Sequence, residues 1–260
     1  MGAQAGCFGP QDLTDDGFLG GRLRVLQPRQ GYRAATDPVL LAAATAALPG
    51  QSVLELGCGA GVASLCLAAR VGDLRLAGVE RQPAYADLAR QNAAGNHIAL
   101  SVHEGDLRAL PAEIRAQRFD HVIANPPYYP AAGGTSARDV GREAALREET
   151  QLVDWIAVAA RRLQPGGYLT VIQAADRLPD LLMGCAGRLG SLRVLPLAAR
   201  QGREANRVIL QARKGGRAAF RLAAPFILHD RQAHDGDRDS LTAAAQDILR
   251  GGGGLQLCNP

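Results

Sequence analysis

From Ser52 onward, short and almost wholly apolar runs alternate along the chain with longer segments of helical periodicity. The apolar runs at 52–56, 74–79, 99–102, 119–124 and 168–172 predict strands, and the intervening segments 62–70, 83–94, 111–116 and 144–163 predict helices. Strands apolar on both faces and joined by helices belong to a parallel sheet covered on each side. Near the end, a helix over 176–189 is followed by strands over 191–197 and 207–213 with no helical pattern between them, which predicts an antiparallel hairpin closing the sheet; a further apolar segment lies at 224–228. Ahead of this alternation, Leu23-Arg24-Val25-Leu26 alternates like a strand among Gly17, Gly20, Gly21 and Gly31, so a small hairpin is expected. Asp37-Pro38 then reads as a helix start, with Asp37 as the cap and Pro38 in the first turn, ending at Pro49-Gly50. The pattern divides the chain into a hairpin extension (1–36), an α/β domain with a mainly parallel, Rossmann-like seven-stranded sheet (37–250) and a Gly-rich tail (251–260).

Composition changes this picture little. With 47% hydrophobic and 21% charged residues among 260, the chain has the make-up of an ordinary globular protein. Its net charge of +4 suits an anionic partner such as nucleic acid. Only Lys214 among the 29 basic residues is a lysine, however, and a coding bias toward arginine accounts for the surplus equally well. The five cysteines form no CxxC pair, which suggests neither a disulfide framework nor a zinc or other metal site and points to a reducing compartment, the cytoplasm. No signal peptide is legible at the start, and no apolar run reaches the roughly 18 residues a membrane span needs.

The first chemical signal is Glu55-Leu56-Gly57-Cys58-Gly59-Ala60-Gly61, a strand end running through a glycine turn into a helix. Glycines at 57, 59 and 61 let the backbone turn tightly and let a ligand come close. Glu80, at the end of the next strand, is placed to accept hydrogen bonds from two ribose hydroxyls. A dinucleotide, S-adenosylmethionine (SAM) and a bare tight turn are the competing readings. Glu55 opposes the first, because a carboxylate there repels a pyrophosphate and suits a cationic ligand without phosphate. The string resembles motif I of class I methyltransferases. In these enzymes the place of Asp106, beside Leu107, often binds the adenine amino group of SAM.

The second signal is Asn125-Pro126-Pro127-Tyr128-Tyr129, directly after the strand over 119–124. Two prolines cannot donate to a sheet ladder and confine the preceding residue to extended conformations, so the strand stops in a rigid turn at Asn125. An exocyclic or carboxamide amino group is a poor nucleophile because its lone pair is delocalised. The Asn125 side-chain oxygen and the Pro126 carbonyl can accept its two hydrogens and offset the positive charge that develops on attack, while Tyr128 offers a ring for a flipped base. The competing reading is a proline turn of no chemical role. His121, mid-strand, reads as buried structure.

This turn resembles the N-P-P-Y signature of methyltransferases acting on adenine, cytosine or glutamine amino groups. Together with Gly31-Tyr32-Arg33, Thr36-Asp37-Pro38, Asp154-Trp155-Ile156, Asn206-Arg207-Val208 and the doubled tyrosine, most of the chain (14–250) resembles the bacterial tRNA(Val) adenine-N6-methyltransferases. The resemblance implies a class I methyltransferase fold, SAM as cofactor and the adenine 3′ of the anticodon as target. It also implies that Arg33, Thr36 and Asp37 border the methionine end of SAM, and that Tyr129 helps hold the base. Arg138 and Arg142, in the Gly-containing stretch after the turn, are expected to meet RNA phosphate. A protein glutamine N5-methyltransferase is the alternative, although such enzymes usually carry a helical N-terminal domain, for which the Gly-rich start leaves no room. A non-catalytic SAM-fold module that binds RNA or a partner is the second alternative. The oligomeric state is not legible.

Overall fold

A computed structural model describes residues 7–130, 147–148, 150–230, 240–255 and 257. The chain opens with an antiparallel hairpin, β1 (Leu13–Phe18) and β2 (Leu23–Pro28). Helix α1 (Thr36–Ala44) leads to β3 (Ser52–Leu56), α2 (Val62–Arg70), β4 (Arg75–Glu80), α3 (Pro83–Gly95), β5 (Leu100–Glu104), α4 (Ala112–Arg115) and β6 (Phe119–Ala124). Two short strands, β7 (Tyr129–Pro130) and β8 (Arg147–Glu148), pair with each other. There follow α5 (Leu152–Arg162), β9 (Leu163–Ala174), α6 (Leu178–Cys185), β10 (Gly190–Arg200), β11 (Ala205–Arg213), β12 (Arg221–Leu222), β13 (Phe226–His229) and a last short helix, α7 (Ala243–Gln246).

The main sheet has the order β12-β10-β11-β9-β6-β3-β4-β5, with β13 also on β10. Five strands, β3, β4, β5, β6 and β9, are parallel, and β11 is antiparallel to both β9 and β10. The expected seven-stranded sheet with its antiparallel hairpin is therefore present. Two short strands parallel to β10 extend it to nine. Strand order reverses between β3 and β6, and the carboxyl edge at such a switch point is where open α/β sheets bind ligands.

Alternate residues of each strand feed two cores. Val53, Ile123 and Ile172 pack with α1, α2 and the hairpin residues Leu19, Leu23 and Val25. Leu54, Leu56, Val122 and Val171 pack with Ile114, Trp155 and Ile156 on the other face.

Several boundaries differ from the sequence expectation. Helix α1 starts at Thr36 behind an Ala35 cap and ends at Ala44, so Asp37 lies inside the first turn and is no cap. Among the described residues, the helix expected over 144–163 is present at Leu152–Arg162, and Arg147–Glu148 pairs as strand instead. The one expected over 176–189 is helical only to Cys185. Strand β9 begins earlier than expected, at Leu163, pairing with Phe119 across the Pro165-Gly166-Gly167 segment. Residues 251–255 do not stand free: the Leu255 amide donates to Ala43 O at 2.8 Å, and Arg22 donates to Gly251 O at 2.5 Å.

The hairpin is fastened through side-chain amides. Asn92 on α3 and Asn96 at its C-cap lie one turn apart, and each takes both backbone groups of one β2 residue, as a paired strand would. Asn92 Oδ1 accepts from the Leu26 amide at 2.7 Å while its Nδ2 donates to Leu26 O at 3.0 Å. Asn96 does the same with Arg24, at 2.9 and 2.6 Å. Asn92 Nδ2 also reaches Ala60 O in the glycine loop at 3.0 Å, tying hairpin, helix and loop together. Asn92→Ala removes its bonds to Leu26 and Ala60 and leaves the part-buried Leu26 amide unmet. It is expected to lower stability by about 2–4 kcal/mol, read from the urea midpoint; a loss under about 1 kcal/mol would show that the hairpin docks by other means.

Candidate active site

Strands β3 and β6 are parallel neighbours with Leu56 opposite Ala124, so Gly57 and Asn125 leave the sheet side by side. The glycine loop and the Asn-Pro-Pro-Tyr turn thereby open into one cavity of about 630 Å³, a size ordinary for small-ligand sites. Its lining includes Arg33, Asp37, Glu55, Gly57, Gly59, Glu80, Asp106 and Leu107, together with Asn125, Pro126, Pro127 and Tyr128. Twelve positions chosen from sequence thus meet in one place. Thr36 and Gly61 are not among the lining residues. Thr36 faces a separate surface pocket beside Gly17 and Leu249, and Gly61 supplies the left-handed turn (φ 84°) that starts α2. Tyr129 is described only as backbone in β7, and Arg138 and Arg142 lie outside the described residues.

Gly57 adopts φ 65°, and a Cβ there would sit 2.6 Å from Trp155 Cη2, so two constraints require glycine at this position. Glu80 ends β4 and accepts from the Gly59 amide at 2.9 Å and the Gln82 amide at 2.8 Å. Burial pushes its carboxyl above the usual range, against those bonds. Asp106 is held below that range by the Arg108 side chain, which donates to both of its oxygens at 3.2 and 3.1 Å. Arg33 lines the cavity with its guanidinium tied to the hairpin, at 2.7 Å from Thr14 Oγ1 and 2.6 Å from Asp16 Oδ2.

At the turn, Asn125 Nδ2 donates to Tyr32 Oη at 3.2 Å, and its Oδ1 lies 3.1 Å from Tyr128 Oη. The Tyr128 hydroxyl also donates to Asp37, whose Oδ2 receives Arg207 Nε at 3.3 Å. The Arg207 guanidinium lies over the Tyr128 ring, 4.2 Å from its centroid. Behind the turn, the fully buried Gln173 donates to the carbonyls of Pro126 and Pro127 at 3.3 and 3.2 Å. His121 is buried structure: its Nε2 lies 3.0 Å from Gln51 Oε1, and burial lowers its pKa to about 4.

Tyr32, Trp155, Gln173 and Arg207 were given no site role by sequence reasoning. Gln173 had a usable signal, as a lone amide ending the apolar run Leu169-Thr-Val-Ile. Arg207 stood out only as part of the Asn206-Arg207-Val208 element of the resemblance, and its partner Asp37, 170 positions away, was not legible.

The lining fits SAM. Carboxylates on Glu55, Glu80 and Asp106 suit an ammonium and a sulfonium, while that of Asp37 is taken by Tyr128 and Arg207. Arg29, Arg33, Arg81 and Arg207 also line the cavity, Arg33 and Arg207 already paired with Asp16 and Asp37. The Trp155 ring closes the cavity wall beside Gly57, and its buried Nε1 has no hydrogen-bond partner among the described residues.

Glu55 gives this fit a pH signature. Burial raises its pKa to about 7, against two hydrogen bonds from Ser64 and with help from Glu80. The folded, ligand-free site therefore holds a proton on Glu55 below about 7, and a cationic ligand favours the carboxylate. SAM binding near neutrality is expected to release a proton, with affinity rising as pH rises through that range. Titration calorimetry in buffers of different ionisation enthalpy should show this release in the native protein and lose it in Glu55→Gln; a native protein releasing none would contradict it.

Comparison with known proteins agrees with this geometry. The model of the methyltransferase small domain family matches residues 35–189. A tRNA1(Val) (adenine(37)-N6)-methyltransferase of Actinobacillus succinogenes is 33% identical over 203 residues, covering 76% of this chain and 84% of that protein. One of Porphyromonas gingivalis is 34% identical over 224 residues, covering 82% and 86%. Among solved structures, one described as a predicted O-methyltransferase from Agrobacterium tumefaciens superposes with a TM-score of 0.67 at 28% identity, covering 84% of this chain and 98% of that one. A 16S rRNA N2 methyltransferase of T. thermophilus, in complex with AdoMet and guanosine, shares the fold at a TM-score of 0.54 and 22% identity, covering 78% and 50%.

Proposed function

The chain belongs to the methyltransferase small domain family and, within it, to the tRNA1(Val) (adenine(37)-N6)-methyltransferases, and on that premise we propose that it methylates the N6 amino group of the adenine 3′ of the anticodon in tRNA, using SAM. The observation that carries the reading is the placement of Asn125 beside Gly57 at the strand switch point, inside one cavity with the buried carboxylates of Glu55 and Glu80.

Bound SAM supplies a methyl group made electrophilic by its sulfonium. The chain's own residues hold the partners and the charge. Glu80 has acceptor capacity left beyond its two backbone bonds for ribose hydroxyls, and Asp106 can accept from an adenine amino group once Arg108 yields. Asn125 Oδ1 accepts one hydrogen of the substrate amino group. The Pro126 carbonyl accepts the other through the lone pair that Gln173 leaves unused. Both acceptors are fixed in advance by the prolines and by Gln173, so their dipoles meet the developing positive charge without reorganising. Tyr128 presents the ring against which a flipped base packs. Arginines among the cavity's lining residues suit the phosphates that flank such a base. No helix of the described residues is long and apolar enough to cross a membrane; acting on tRNA, the protein would work in the cytoplasm.

With tritium-labelled SAM, label is expected in tRNA and, after digestion, in N6-methyladenosine. Asn125→Ala should lower transfer by about 100-fold or more, the scale of losing a preorganised electrostatic partner, while SAM binding by calorimetry stays largely intact. Label in a protein glutamine, or full activity in the variant, would overturn the reading.

A further inference from the structure

The hydroxyl of Tyr128 faces two acceptors, the carboxylate of Asp37 and the amide oxygen of Asn125, the latter at 3.1 Å. A tyrosine hydroxyl carries one proton and can satisfy only one of them fully. The choice matters, because Asn125 Oδ1 is the acceptor that the transfer reaction needs. An oxygen already taking a proton from Tyr128 has one lone pair engaged and less negative charge to offset the charge growing on a nucleophilic nitrogen.

We propose that Asp37 is a positioning residue for the methyl transfer: it draws the Tyr128 proton to itself and so keeps the Asn125 amide oxygen for the substrate amino group. The inference rests on the reading of Asn125 given above.

Three features support it. A hydrogen bond to a carboxylate is stronger than one to a neutral amide, so the shared proton goes to Asp37. The amide cannot escape the competition by rotating without losing the bond from Nδ2 to Tyr32 Oη at 3.2 Å, which leaves its oxygen end facing Tyr128. Asp37 itself is held in place from two sides. It sits in the first turn of α1, where the helix dipole favours an anion, and it receives Arg207 Nε from β11 at 3.3 Å. Arg207 also lies across the Tyr128 ring and so fixes donor and acceptor together. Burial and the nearby Asp37 both raise the hydroxyl pKa of Tyr128, so the proton in question stays on this pair of oxygens. The capping role expected of Asp37 from sequence is not available as an explanation, since Ala35 caps α1 and no side-chain cap bond is made.

A double-mutant cycle tests this, with kcat at saturating SAM and tRNA and the SAM dissociation constant both measured. Asp37→Ala is expected to lower kcat about tenfold, because the Tyr128 proton then falls to Asn125. In the Tyr128→Phe background no proton competes, and Asp37→Ala should cost about threefold or less. Asp37→Asn, which keeps the shape of the side chain but weakens the acceptor, should lie between, and it serves if the alanine variant folds poorly. Equal losses in the two backgrounds would overturn the inference. So would a fall in SAM affinity that matches the fall in activity, since Asp37 would then be a cofactor ligand. Failure of the underlying reading looks different: Asn125→Ala would stay active whatever the cycle shows.

Discussion

Everything at the site depends on where β6 has to stop. Pro126 and Pro127 have no amide hydrogen to offer a neighbouring strand, and they hold Asn125 extended at the carboxyl edge of the sheet. The parallel register of β6 with β3 does the rest, because it sets Ala124 level with Leu56 and so puts Asn125 next to Gly57. A one-residue slip between these strands would turn their apolar side chains to the wrong faces and separate the turn from the loop. Core packing and active-site geometry are thus one constraint, met by the same alternation that sends Leu54 and Val53 to opposite cores.

Around that fixed point the walls are brought in by polar side chains acting on backbone. Asn92 and Asn96 bind β2 as a strand would, Gln27 ties the hairpin to Ala34 at 2.7 Å, and the chain between carries Tyr32 to the Asn125 amide. Gln173, one step from Arg207's partner position on β9, holds the carbonyls of the proline turn from behind. Asn92, Gln27 and Gln173 are buried and satisfied, so they fix position at little cost in stability. They also explain how a glycine-containing extension can form a dependable wall of a cavity.

The parts of this arrangement that are local in sequence were legible in it. The apolar run, glycine turn and helix from Ser52 to Arg70 and the strand ending at Asn125 fall where the pattern puts them, because strand, turn and helix signals there agree. Boundaries set by distant partners were not legible. The stretch after the proline turn has helical composition, yet Arg147–Glu148 pairs with Tyr129–Pro130. Strands β12 and β13 exist only because β10 offers an edge. Asp37 shows the limit most clearly: before a proline it reads as a cap, but its carboxylate is taken by Tyr128 and Arg207, 91 and 170 positions away. The arginine surplus stays divided as well, since four arginines line the cavity and the rest remain compatible with coding bias.

The central claim is that this cavity makes N6-methyladenosine in tRNA through Asn125. Nucleoside mass spectrometry of total tRNA from a strain lacking the protein tests it most directly. The account predicts that N6-methyladenosine is lost, returns with the native chain, and does not return with Asn125→Ala. An unchanged N6-methyladenosine level in the deletion strain, or full restoration by the variant, would contradict it.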